Sequence, residues 1–299
     1  EMCIRDRIQN PAACSIRAAR DVPICKQGES GDNCFTPAQA ESLSSFVTAA
    51  TDSTGRVIFP GYSVSETSLD FRGAANPGEA PDHGVRVYAP RAFAPGQQLV
   101  SYGSGGPGTI DAFRVIADAS AYDTISAVVR KGTVRAQDLV PLARGRTKLL
   151  WYHNLSDEAL TPFMSFNLYS GLARRTGGYA RLQRNVRLFT LPGTGHCSMS
   201  GIGPSNFDAI GTLEAWVEQG KAPDSIFARQ LDPKFNNVLA GKVDWTVPPL
   251  RSMPLCPFPQ MARYKGTGDV KDAANWECRK TDMRMLTVGE AGRLAGGFR

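Results

Sequence analysis

The middle of the chain contains the apolar run Lys148-Leu149-Leu150-Trp151-Tyr152, followed directly by His153-Asn154-Leu155-Ser156-Asp157. A short apolar run of this kind is typical of a buried strand in a parallel sheet. The polar residues after it predict a loop that carries an acid, Asp157, at the carboxyl end of that strand. Catalytic side chains collect at this end of the strands in open parallel sheets.

A helix and a second strand are predicted after this loop. Thr161-Pro162 is an N-cap followed by proline in the first turn, and apolar residues at helical spacing continue to Gly177-Gly178, which ends the helix. Residues 186–191 then predict a second strand. Pro192-Gly193-Thr194-Gly195 ends that strand just before His196, so the histidine also follows the carboxyl end of a strand.

A third helix is predicted from about Ser205 to Gly220. The side chains that we expect on its apolar face are Phe207, Ile210, Leu213 and Val217. Strands that alternate with helices predict an α/β protein with a parallel sheet flanked by helices.

Residues 8 to about 140 differ in composition from the rest of the chain and are rich in Gly, Pro, Ser and Asp. One helix is predicted there, from Thr36-Pro37 to about Ala50. We therefore expect an irregular domain over residues 8–140 and an α/β domain over residues 141–299. Residues 1–7 resemble the translated remnant of a sequencing adapter, so we expect them to be foreign and the natural sequence to begin near Ile8, within a domain.

Bulk composition narrows the class of protein. Hydrophobic residues make up 42% and charged residues 21%, as in ordinary globular proteins, and no apolar stretch is long enough to cross a bilayer. The net charge is +6, but the basic residues are scattered, which argues against a nucleic-acid partner. Seven cysteines without a C-x-x-C pair, beside three distant histidines, favour disulfides over a metal site. Disulfides indicate a secreted or periplasmic protein.

Asp157 and His196 are the candidate catalytic residues. They follow consecutive strands, so their loops meet at one edge of the sheet, in the chain order of an α/β-hydrolase triad, Ser, Asp, His. Such a triad needs an imidazole to take the serine proton and a carboxylate to stabilise the imidazolium. Two plainer interpretations stay open: Asp157 caps the following helix, and His196 is a loop histidine without a role. His153 and His83 are interpreted as structural or surface residues.

Four segments together resemble the tannase/feruloyl esterase family. Trp151–Asp157 is similar to its Y-H-G-x-x-D segment, and Leu191–Cys197 is similar to its G-x-x-H-C segment. Residues 213–223 resemble the helix that follows, and residues 254–268 resemble the C-terminal tail. The resemblance extends over nearly all of residues 8–280 and is weakest over residues 62–140.

The resemblance implies a secreted α/β-hydrolase that cleaves esters of aromatic acids such as feruloyl or galloyl groups, with Asp157 and His196 in its triad. The family's nucleophile lies in a G-C-S-x-G-G segment, which this sequence lacks, since no glycine flanks Cys14-Ser15. We therefore expect the serine to lie upstream. The chain would then be a lid domain plus the C-terminal part of the hydrolase core, and inactive by itself.

The resemblance also implies roles for the cysteines. Disulfides Cys25–Cys34 and Cys256–Cys278 are expected, whereas Cys14 and Cys197 are expected to be unpaired, because their family partners lie upstream. Cys3 belongs to the segment that we expect to be foreign. In family members a calcium loop of spaced aspartates precedes the segment that begins at Ile8. Here those positions hold residues 4–7, and Asp6 alone cannot supply the six to eight oxygens that calcium takes, so neither a metal nor a cofactor is expected.

Two alternatives remain open at this stage. The first is a complete esterase with Ser104 as its nucleophile, since Ser104 precedes Asp157 and His196 in the order of the triad. Against it, Tyr102 stands where the G-x-S-x-G elbow requires its first glycine. The second is a secreted, non-catalytic domain that binds an aromatic ligand.

Overall fold

A computed structural model describes residues 10–13, 18–29, 31, 33–51, 55, 57–63, 134–157, 160–198, 203–237 and 242–281. These residues belong to two compact units. The smaller unit holds the described residues from 18 to 62, with residues 134 and 135. The larger unit holds residues 10–13, residue 63 and the described residues from 136 to 281. The lid assignment of residues 8–140 stays a prediction.

The smaller unit contains α1 (Ala18–Asp21), α2 (Pro37–Val47), β1 (Ala50–Thr51) and β2 (Val57–Phe59). Helix α2 begins where the sequence predicts. The Thr36 hydroxyl accepts the Gln39 N–H at 3.3 Å, and the Gln39 side chain accepts the Thr36 N–H at 2.8 Å, so the two residues form a capping box. The helix ends before Ala50, because that residue pairs with Phe59 in a short antiparallel ladder.

The larger unit holds the candidate catalytic residues. Its α-helices and strands among the described residues are α3 (Val140–Arg144), β3 (Leu149–Asn154), α4 (Pro162–Thr176), α5 (Tyr179–Leu182), β4 (Val186–Leu191), β5 (Asn206–Phe207), α6 (Ala209–Gln219), β6 (Ile226–Gln230), β7 (Asn236–Asn237), β8 (Lys242–Val243), β9 (Arg251–Pro257), β10 (Gln260–Tyr264) and β11 (Trp276–Lys280).

The main sheet has five strands in the order β3-β4-β9-β6-β5. Strands β3 and β4 are parallel, in register from Leu149 opposite Val186 to Asn154 opposite Leu191. The other neighbours, β4–β9, β9–β6 and β6–β5, are antiparallel. The parallel arrangement that the sequence predicts thus holds for β3 and β4, the two strands that lead to Asp157 and His196. The sheet as a whole is mixed, because β9 runs antiparallel to both of its neighbours and β5 runs antiparallel to β6.

Helix α4 packs on the parallel pair of strands as predicted. Its buried residues recur at helical spacing, namely Phe163, Phe166, Tyr169, Leu172 and Ala173. The Tyr169 ring meets Trp151 of β3 edge to face at 6.1 Å, and its hydroxyl donates to the Val186 carbonyl oxygen of β4 at 2.9 Å. The helix ends at Gly177, which adopts a left-handed conformation with φ of 91°.

Helix α6 differs from its prediction in both its start and its buried face. It begins at Ala209, because the Asp208 carboxylate accepts the Gly211 N–H at 2.8 Å. On the predicted apolar face Ile210 is 69% exposed and Val217 is 60% exposed, whereas Phe207 is partly buried against the core of the sheet. Trp216 is buried instead, as the side chain with the largest apolar area on the helix.

Candidate active site

The loops that carry Asp157 and His196 begin side by side. Because β3 and β4 are parallel and in register up to Asn154 and Leu191, their carboxyl ends are neighbours in the sheet. The Leu155 N–H continues the ladder by donating to the Leu191 carbonyl oxygen at 2.8 Å, and the Ser156 N–H donates to the Thr194 carbonyl oxygen at 3.1 Å. The parallel register therefore brings the two loops together.

The histidine loop folds back on itself through glycine. The Gly203 N–H donates to the Gly193 carbonyl oxygen at 2.7 Å. A Cβ atom at position 203 would overlap the Pro192 carbonyl oxygen and the Thr194 hydroxyl oxygen. Only glycine permits this close approach of two backbone segments. The contact between Gly203 and residues 192–194 brings together the two ends of the loop that carries His196.

Asp157 and His196 are in contact. Nδ1 of His196 lies 3.1 Å from each carboxylate oxygen of Asp157, within the hydrogen-bond reach that the sequence analysis expects. The Asp157 side chain is 8% exposed and that of His196 is 30% exposed. Asp157 does not act as the cap of α4, because Thr161 occupies that position.

The contact assigns the tautomer of His196. A carboxylate can only accept hydrogen bonds, so Nδ1 of His196 carries the proton and donates it to Asp157. The lone pair of the neutral ring is then on Nε2, which becomes the proton acceptor. In this state a histidine can act as a general base, with the acid beside it to stabilise the positive charge that forms.

A second histidine, His153, lies beside the acid, a relationship that the sequence did not indicate. Nε2 of His153 is 2.9 Å from the Leu160 carbonyl oxygen and 3.8 Å from an oxygen of Asp157. Nδ1 of His153 is 2.6 Å from the Ser165 hydroxyl. Burial is the main cause that lowers the pKa of His153, outweighing the opposite effects of its hydrogen bond to Leu160 and of the Asp157 charge. A four-residue separation brings side chains together in a helix but not at the end of a strand, so the spacing of His153 and Asp157 did not predict the contact.

A sequence profile described as tannase and feruloyl esterase matches residues 5–279. The chain belongs to the tannase and feruloyl esterase family. It is 40% identical over 131 residues to the mono(2-hydroxyethyl) terephthalate hydrolase of Piscinibacter sakaiensis, a match that covers 44% of this chain and 19% of that protein. It is 26% identical over 296 residues to the probable feruloyl esterase B-2 of Aspergillus terreus, which covers 91% of this chain and 49% of that protein.

Solved structures of two Aspergillus oryzae proteins resemble this chain. An esterase gives a TM-score of 0.61 at 20% identity, over 92% of this chain and 52% of that one. A feruloyl esterase B gives a TM-score of 0.59 at 19% identity, over 91% of this chain and 52% of that one. The likeness confirms the predicted partial α/β-hydrolase fold. The chain spans about half the length of these two structures and of the Aspergillus terreus relative.

Both disulfides that the family resemblance implies are confirmed. Cys25 and Cys34 are bonded with their Cα atoms 4.9 Å apart, and Cys256 and Cys278 are bonded with theirs 5.5 Å apart. Cys256 lies in β9 of the main sheet and Cys278 in β11, so the second bond fastens the C-terminal hairpin to the sheet. The remaining predictions on cysteine, for Cys3, Cys14 and the side chain of Cys197, lie outside the described residues.

Other predicted features also lie beyond the described part of the chain. They are Ser104, His83 and residues 4–7, where family members place the end of a calcium loop. Within the described residues no group of three or more His, Cys, Asp or Glu side chains could hold a metal ion. No helix in the same part of the chain is both long and apolar enough to cross a membrane.

Proposed function

We propose that this chain is the C-terminal part of a secreted serine esterase that hydrolyses carboxylic esters of aromatic acids. Asp157 and His196 are its catalytic acid and base, and the serine lies upstream. The observation that carries the proposal is the contact between the His196 imidazole and the Asp157 carboxylate, at the carboxyl ends of two parallel strands.

The reaction follows from the protonation states at this contact. Nε2 of His196 takes the proton of the serine hydroxyl while the serine oxygen attacks the ester carbonyl carbon. The buried Asp157 carboxylate stabilises the imidazolium, which then gives its proton to the departing alcohol. Water, deprotonated in turn by His196, attacks the acyl-enzyme, and release of the carboxylic acid restores the serine.

The substrate class is supported by the relatives. The names of those that match this chain include a mono(2-hydroxyethyl) terephthalate hydrolase and feruloyl esterases. Terephthalate and ferulate are both aromatic acids, and the enzymes cleave a carboxylic ester bond next to them. We extend this chemistry to the present chain, with feruloyl and galloyl esters as the first substrates to assay.

The upstream position of the serine is supported by length and by an exposed surface. The chain covers about half of the Aspergillus relatives, and its sequence has no G-C-S-x-G-G segment. The apolar side chains Ile210 and Val217 of α6 and Tyr152 of β3 are more than half exposed. Surfaces of this kind are commonly covered by another part of a protein. A preceding segment that supplies the serine would also supply this cover.

The two disulfides support an oxidising location, outside the cell or in the periplasm. We propose no cofactor and no metal for the reaction, since a serine, a histidine and an aspartate complete ester hydrolysis by themselves. The proposed partner is a small aromatic ester, and neither a nucleic acid nor a membrane has a part in the mechanism.

Labelling with a fluorophosphonate, which forms a covalent bond with an activated serine, tests the proposal. The probe is applied to residues 1–299 alone and to residues 8–299 joined to the natural sequence that precedes Ile8. We expect labelling of a serine upstream of this chain, lost in His196→Ala and kept in the control Ser104→Ala. A label on Ser104 would instead support the complete esterase. Absence of labelling in a folded, complete protein would favour the non-catalytic binding domain.

A further inference from the structure

A continuous series of hydrogen bonds connects His153 to the candidate catalytic pair. His153 Nε2 lies 2.9 Å from the Leu160 carbonyl oxygen. The N–H of the same residue, Leu160, donates to Oδ1 of Asp157 at 2.7 Å. Asp157 in turn accepts from Nδ1 of His196 at 3.1 Å. One residue, Leu160, is thus held by the histidine through its carbonyl group while it holds the acid through its amide group.

The protonation state of His153 follows from its partners. The Leu160 carbonyl oxygen can only accept, so Nε2 of His153 carries the proton. Nδ1 then has the lone pair and accepts the Ser165 hydroxyl proton at 2.6 Å. The side chain is 15% exposed, and its burial disfavours the charged form. His153 and His196 are therefore in opposite tautomers, the first protonated on Nε2 and the second on Nδ1.

The side chain of Leu160 does little to fix the position of this residue. Its side chain is 61% exposed, so apolar burial contributes little to its position. The amide of Leu160 approaches Asp157 more closely than His196 does, at 2.7 Å against 3.1 Å. A displacement of Leu160 would therefore remove a close donor from the carboxylate and leave the acid freer to rotate.

We propose that His153 is a positioning residue for the catalytic acid: through Leu160 it fixes the orientation in which Asp157 receives His196. This inference rests on the proposed function of the Asp157–His196 pair. A neutral ring suits the task, because a cation 3.8 Å from the Asp157 carboxylate would compete with His196 for its charge. Both ring nitrogens of His153 are engaged, by the Ser165 hydroxyl and the Leu160 carbonyl, so this ring does not serve as the base.

The tautomers can be measured in the chain of 299 residues as it stands. The sequence has three histidines, so ¹⁵N-labelled histidine gives a small set of ring signals, which His83→Gln, His153→Gln and His196→Ala assign. Two-bond ¹H–¹⁵N correlation spectra near neutral pH distinguish the two neutral tautomers. We expect the proton of His153 on Nε2 and that of His196 on Nδ1, with a downfield Hδ1 signal. A proton on Nδ1 of His153 would overturn the proposal, because that ring could not donate to Leu160.

Two amide variants separate positioning from mere space filling. In His153→Gln the side-chain NH₂ reaches roughly as far as Nε2 of histidine and can still donate to Leu160. In His153→Asn the shorter amide reaches only as far as Nδ1, next to Ser165. We expect His153→Gln to keep the His196 Hδ1 signal and His153→Asn to lose it through faster exchange with water. If the signal persists unchanged in His153→Asn, positioning is refuted while the catalytic pair stands.

Asp157→Asn distinguishes failure of the inference from failure of the proposed function. This variant removes the acceptor charge, and we expect the downfield Hδ1 signal of His196 to disappear. If the signal is absent from the wild-type protein, or is unchanged in Asp157→Asn, the acid–histidine pair itself is refuted, and the role of His153 falls with it. If His153→Asn does not fold, the wild-type tautomer of His153 still decides between the outcomes.

Discussion

The Asn154 side chain donates a 2.6 Å hydrogen bond from Nδ2 to the carbonyl oxygen of Gly195. Asn154 is the last residue of β3, and Gly195 immediately precedes His196. Both partners are buried. The bond therefore joins the strand that leads to the candidate acid, Asp157, with the residue that precedes the candidate base, His196.

Asn154→Ala is expected to lower the free energy of unfolding by about 2 kcal/mol, because it leaves a buried carbonyl group without this donor. Urea unfolding measures the change. Asn167→Ala is the matched control: its side chain donates at 2.9 Å to the Phe163 carbonyl within α4, where the helix supplies a backbone donor as well. A loss in Asn154→Ala no larger than in Asn167→Ala would contradict the importance of the bond between the loops.

Gly203→Ala is expected to destabilise the protein by about 2 kcal/mol, because the added methyl group overlaps backbone and side-chain atoms of residues 192–194. It should also displace His196, visible as a changed ring signal in the histidine NMR spectrum. Gly31→Ala serves as the control, since a Cβ at that position meets nothing within 4 Å. Equal effects of the two substitutions would show that the contact with residues 192–194 is unimportant.

Removal of the Cys256–Cys278 disulfide by a double change to alanine is expected to lower the unfolding free energy by about 3 kcal/mol, given the 22-residue separation that the bond closes. Thermal unfolding, followed by circular dichroism, reports the loss. The matched variant removes Cys25–Cys34, which closes 9 residues in the smaller unit and should cost less. The reverse ranking would contradict this expectation.

His153 should make stability depend on pH. Its pKa is lowered in the folded protein, mainly by burial, so as the pH falls below about 6.5 the unfolded chain takes up a proton first. The contribution of His153 to the free energy of unfolding is fully present above that pH. It is lost as the pH falls towards the pKa of the folded state, and the loss is about 1.4 kcal/mol per pH unit. The titratable groups that face it are Asp157 and His196.

His153→Gln removes the pH-dependent contribution of this histidine to the free energy of unfolding. We therefore expect the unfolding free energy of the variant to fall less than that of the wild type between pH 7 and pH 5. Denaturant unfolding at a series of pH values measures both curves. Parallel curves would show that His153 is not held neutral by burial.

The sequence predicts the two loops of the site better than it predicts their surroundings. The apolar run at 148–152 and the strand at 186–191 are local signals, and Pro192-Gly193 indicates the break before His196. The position of β9 between β4 and β6 is not local: it depends on pairing between residues more than sixty positions apart in the chain. Periodicity likewise indicated that α6 is amphipathic but not which face is buried. The buried side chain is Trp216, whereas Ile210 and Val217 are exposed.

The role of His153 could not be predicted from residue type alone. A histidine at the end of a strand is as compatible with a surface position as with a buried one. Its partners, the Leu160 carbonyl and the Ser165 hydroxyl, become visible only when the loop and α4 are placed against β3. For Asp157 the sequence left a capping role open, although Thr161-Pro162 already indicated the N-cap, and the structure confirms Thr161 in that position.

One measurement tests most directly whether Asp157 and His196 belong to a serine esterase. It is kcat/KM for methyl ferulate, measured on the protein expressed with its preceding sequence, both as wild type and as His196→Ala. We predict ester cleavage by the wild type and a loss of about a millionfold in turnover for the variant, because the serine then has no base. The chain of 299 residues alone should show no turnover above background. Cleavage that survives His196→Ala would contradict the assignment, and His196-dependent cleavage by the 299-residue chain alone would place the nucleophile within it, at Ser104.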